Sequence, residues 1–69
     1  MCVIVQVPKD KRIDDDVLRK CWDANDDGGG IMWIDSPGNL RLRKGFMKFE
    51  ELKEAVHLAM SDRSGDLII

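Results

Sequence analysis

Cys2 stands directly behind Met1, at the head of the apolar run Cys2-Val3-Ile4-Val5. A thiol in second place has a use that a thiol elsewhere lacks. Once Met1 is removed, the freed α-amino group can take the thiol's proton. One residue then supplies both nucleophile and base for attack on an amide. As a structural residue the same Cys is a small buried hydrophobe at the start of a strand. The run taken alone favours that role.

Other chemistry-bearing residues have simpler uses. Asp23, Asn25 and Asp27, with Gly28 next, match positions 1, 3, 5 and 6 of a calcium-binding EF-hand loop. The twelfth position, which should supply a bidentate Glu, is Ile34, and Pro37-Gly38 stands where the exiting helix belongs. The segment therefore reads as a helix stop and turn. Cys21 falls on an apolar helical face, and His57 is a surface or boundary residue. Cys2, Cys21 and His57 lack zinc-site spacing, so no metal and no cofactor are expected. Asp14, Asp15 and Asp16 suit a helix start, where Asp14 caps free N–H groups and the next two meet the positive end of the dipole. Arg41, Arg43, Lys44 and Lys48 form a basic strip with no acid between positions 40 and 48. Charge on an edge strand blocks edge-to-edge pairing. The strip has no aromatic interleaving, so nucleic-acid binding is not expected.

The chain of 69 residues, with net charge -2, suits one small domain and no general affinity for polyanions. A core of this size supplies only about 3–5 kcal/mol, so a staple or partner is expected. No apolar run reaches membrane-spanning length, and the N-terminus lacks a basic region before its apolar stretch. The expected compartment is the cytoplasm, with both thiols reduced.

These residues must be positioned by a few short elements. Residues 2–7 read as a strand stopped by Pro8, with Val3, Val5 and Val7 on one face and Cys2, Ile4 and Gln6 on the other. A helix follows over about 14–24, with Ile13, Val17, Leu18, Cys21 and Trp22 on one side. Residues 31–35 and 40–44 form a hairpin around Ser36-Pro37-Gly38-Asn39, with Pro and Gly in type II order. Gly45 is expected to break the strand. A second helix over about 49–60 buries Phe49, Leu52, Val56, Ala59 and Met60. Polar residues 61–65 end it, and Leu67-Ile68-Ile69 is either a fourth strand or a docking segment. The expected fold is α+β. It is one domain, with core residues 1–64, an apolar tail over 65–69, and a small antiparallel sheet carrying both helices on one face.

Three stretches, in this order, make the chain resemble the N-terminal part of a class II glutamine amidotransferase-like protein of the compact bacteriophage type. They are Met1-Cys2-Val3-Ile4-Val5, Cys21-Trp22-Asp23-Ala24-Asn25-Asp26-Asp27-Gly28-Gly29-Gly30, and Lys44-Gly45-Phe46-Met47-Lys48-Phe49-Glu50-Glu51. The resemblance covers about residues 1–58. It implies half of an αββα sandwich and makes Cys2 the nucleophile that releases ammonia from an amide. The family's later Arg, His-Gly and Asn-Gly segments have no counterpart here, and Lys48 replaces a Thr that would form a capping box with Glu51. Each missing oxyanion donor forfeits about 2.7–4 kcal/mol of transition-state stabilisation.

The resulting expectation is a small non-catalytic interaction protein, phage-encoded, that binds or inhibits a bacterial host protein. The alternative is a reduced Cys2 amidohydrolase with a site assembled across a dimer. Two helices can cover only one side of a sheet whose strands are apolar on both. Ile4, together with either Met32 and Ile34 or Ile31 and Trp33, is then left open, with Arg41 and Arg43 toward the rim. Pairing of two such faces predicts a homodimer.

Overall fold

The structure is a computed structural model that describes residues 3–24 and 28–69. Its elements are β1 (Gln6–Val7), α1 (Asp15–Ala24), β2 (Gly29–Asp35), β3 (Leu40–Phe46), α2 (Phe49–Asp62) and β4 (Arg63–Ile68). The fold is α+β. The strands form one antiparallel sheet in the order β1-β4-β2-β3. Both helices lie on one face, over Val7, Ile31, Trp33, Phe46 and Leu67. The core between the layers is completed by Leu18 of α1 and by Leu52, Val56, Ala59 and Met60 of α2.

The expected C-terminal tail is a central strand. β4 pairs with β1 on one side and β2 on the other, and Leu67 is fully buried. Polar residues 61–65 form no connecting loop. The helix runs to Asp62, and the chain turns directly into extended backbone at Arg63. The Arg63 guanidinium donates to the carbonyls of Val7 and Lys11, tying the segment after β1 to the start of β4. Val5 and Ile69 exchange two backbone hydrogen bonds, which continues the ladder beyond Gln6.

The hairpin turn also lies one residue earlier than its type II pattern predicts. The Gly38 N–H donates to the Asp35 carbonyl, and the Asp35 N–H donates to the Asn39 carbonyl, both at 2.9 Å. The loop is therefore residues 36–38. Gly38 leaves it at φ +102°, a conformation that L side chains avoid.

Gly45 does not end β3. Gly29 pairs with Phe46 and Gly30 with Lys44, so Gly45 is an extra residue in the ladder, at φ +85°. Such a bulge moves every later side chain to the opposite face. Without it Phe46 would point away from the helices; with it the ring enters the core, 8% exposed. β4 carries a second irregularity. Trp33 pairs with Leu67 and Asp35 with Arg63, so residues 64–66 stand opposite the single Ile34.

The helices follow their apolar stripes. Leu18 is 1% exposed, while Val17 turns partly to solvent. Trp22 packs on Phe49 with ring centroids 6.5 Å apart, and the Arg19 guanidinium lies 4.9 Å from the Phe49 ring centre. Lys48 caps α2 without a side-chain bond, as expected for a residue that cannot accept one. Leu18→Ala should therefore cost about 2–5 kcal/mol. A chemical-denaturation curve should show a largely unfolded protein, and an unchanged midpoint would displace Leu18 from the core.

Candidate interaction face

The face of the sheet turned away from the helices is built by strand alternation. Val7, Ile31, Trp33 and Leu67 point inward, so their neighbours Gln6, Met32 and Ile68 point outward. Backbone register aligns Gln6, Ile68, Met32 and Leu42 in one row across all four strands. On one side of this row Ile34 pairs with Leu40, with Asp66 beside them on β4. On the other side Gly30 pairs with Lys44. Ile4 lies on the same side of the sheet as Gln6, two residues earlier.

This face is apolar and open. Ile4 is 79% exposed, Leu40 63%, Leu42 62% and Met32 37%. Ile34 and Ile68 are half-buried among them. Its charges stand at two opposite corners. Lys44 forms no ion pair among the described residues. The Asp66 carboxylate is held by the Gln6 side-chain amide at 2.8 Å and the Lys9 N–H at 3.1 Å.

Of the residues expected at an interface, Ile4, Met32 and Ile34 share this face. Trp33 does not. It is buried under the helices, and its indole N–H donates to the Asp62 carboxylate at 3.2 Å. Arg41 and Arg43 also leave the expected rim, because register places them opposite Trp33 and Ile31, on the helix side. There Arg41 lies 3.6 Å from the Asp35 carboxylate, and Arg43 lies 5.8 Å from the Phe46 ring centre. Arg43 and Phe46 line an open groove of about 440 Å³ against Glu51, Glu54, Ala55 and Leu58 of α2. Leu40, Leu42 and Ile68 are face residues that sequence reasoning missed. The first two follow from hairpin register, which sets leucines beside Met32 and Ile34 once the loop is fixed.

Asp35 also escaped notice. Its side chain is the buried centre of the hairpin end, accepting from the N–H groups of Gly38 (3.1 Å) and Asn39 (2.8 Å). Its carbonyl accepts from the Ser64 hydroxyl at 2.6 Å, which binds the loop end of β2 to β4. His57 is paired too, with Nε2 2.7 Å from an Asp15 carboxylate oxygen, joining the two helices.

Cys2 lies outside the described residues, as do Asn25, Asp26 and Asp27 of the acidic loop. Val3 is described, and it leads to a cavity of about 50 Å³ lined by Val5, Leu18, Cys21, Trp22, Leu52 and others. That is room for roughly one or two waters. Among the described residues no group of three or more His, Cys, Asp or Glu is placed to hold a metal ion. No described helix is long and apolar enough to cross a membrane.

No protein-family model matches the chain, and no curated protein or solved structure matches it.

Asp35→Ala removes the acceptor of two loop N–H groups and should destabilise the fold by about 1.5–3 kcal/mol. Arg41→Ala breaks only a partly exposed ion pair and should cost under about 1 kcal/mol. Equal losses in urea denaturation would show that the ion pair, and not the loop bonds, makes Asp35 important.

Proposed function

We propose that this chain is a small, non-catalytic protein-interaction module whose working surface is the open sheet face. One observation carries the proposal: Ile4, Met32, Leu40 and Leu42 are exposed side by side with Ile34 and Ile68. Scattered apolar residues are ordinary on a protein surface, but a contiguous patch marks a binding site. The helix side shows the contrast, since its exposed Val17 and Leu58 lie on separate helices.

A photoreactive benzophenone side chain at position 42 tests the proposal in cells that make the protein naturally. Covalent adducts should form there, should be absent with the probe at Lys20 of α1, and should vanish when Met32→Lys is added. Absence of adducts at position 42 would reject the interaction face. Separately, the protein should release no ammonia from glutamine. Release that disappears in Cys2→Ser would restore the hydrolase alternative.

A further inference from the structure

We propose that the occupant of the open face is a second copy of this chain, docked about a two-fold axis at Met32 that sets Lys44 of each copy against Asp66 of the other. The inference rests on the interaction-module reading and specifies its partner. A two-fold interface uses the same patch twice, so the patch must complement itself. This one does so in charge. Among the described residues it carries a cation without an ion pair, Lys44, and an anchored anion, Asp66, at opposite corners of an apolar field.

Their positions fix the axis. From Met32, Lys44 lies one strand over on β3 and one row toward Gly30, while Asp66 lies one strand over on β4 and one row toward Ile34. Met32 is thus the midpoint between them. An in-plane two-fold axis through Met32, perpendicular to the Lys44–Asp66 line, exchanges the two charges. With strands about 4.8 Å apart and same-face rows about 6.8 Å apart, it crosses the two sets of strands at roughly 70°. That is near the orthogonal class of sheet packing.

The same operation brings apolar residues together. Leu42 of one copy comes down beside Ile34 of the other. Met32 meets its own mate, and Ile4, on the line of the axis, meets its own mate as well. An aligned stack, with the axis parallel to β2, would instead press Asp66 onto Leu40 and leave a carboxylate against an aliphatic side chain. Each apolar residue of the patch is buried twice in a symmetric pair.

Sedimentation velocity of the full chain at micromolar concentration should show a dimer. Lys44→Asp and Asp66→Lys should each weaken it by about tenfold or more in Kd, and the double exchange should recover most of the loss. Circular dichroism establishes that each variant is folded. Asp66→Lys also loses the bonds to Gln6 and Lys9, so a second measurement stands beside the exchange. With Cys2 and Cys21 replaced by Ser, Met32→Cys should be joined to its mate by a short bismaleimide, and Lys44→Cys should not. A wild-type monomer, or a linker preference for position 44, overturns the proposal. If the wild type is a monomer while the probe at position 42 still captures a different protein, the second copy is excluded and the interaction face stands. If neither forms, both readings fall.

Discussion

Two helices can cover one face of a small sheet, and β2 here is apolar on both. Ile31 and Trp33 go under the helices, while Met32 and Ile34 are left on the far side. Strand alternation leaves one of the two pairs outside whichever the helices cover, since successive side chains point to opposite faces. Most of the molecule follows from this division. The covered face supplies the core, with Leu18, Leu52 and Val56 closing over Ile31, Trp33 and Leu67. The other face is an apolar surface that the chain, over its described residues, does not bury.

Holding the division in place requires control of register. β4 lies at the centre of the sheet, although it comes last in the chain, so β1 joins the sheet only through β4. Arg63 fastens its start to the segment after β1, and Ser64 fastens it to Asp35. The extra residue at Gly45 swings Phe46 into the core. Alternation from buried Leu67 puts Asp66 on the outer face, where Gln6 holds it. A slip of one residue in β2 or β3 would exchange apolar core residues for those of the open face, so these local devices decide which residues remain available to a partner.

Local pattern made much of the fold legible. Both helices, their buried stripes and the hairpin can be read from period and turn residues, because each is decided within a few positions. What escaped depends on long-range pairing. Leu67-Ile68-Ile69 follows a polar stretch and looks like a tail; only its partners in β1 and β2 make it central. Gly45 reads as a strand breaker because a bulge and a break share the same residue preference. The hairpin loop is set by Asp35, whose side chain accepts from the N–H groups of Gly38 and Asn39, whereas Pro37-Gly38 in type II order points to a turn one residue later. At the candidate site, alternation named Met32 with Ile34 as one of two options. Choosing between that pair and Ile31 with Trp33 required the helices in place, and the same choice carried Arg41 and Arg43 to the helix side.

The claim most exposed to test is that the uncovered face is a buried contact in the working protein. An isotope-filtered NMR experiment on a mixture of labelled and unlabelled chains reads this directly, because it detects only proximity between different molecules. Intermolecular cross-peaks between Ile34 and Leu42 methyl groups, and between the Met32 methyl groups, are the expected result. Cross-peaks confined to single chains, with the Leu42 methyls in contact with water, would contradict it.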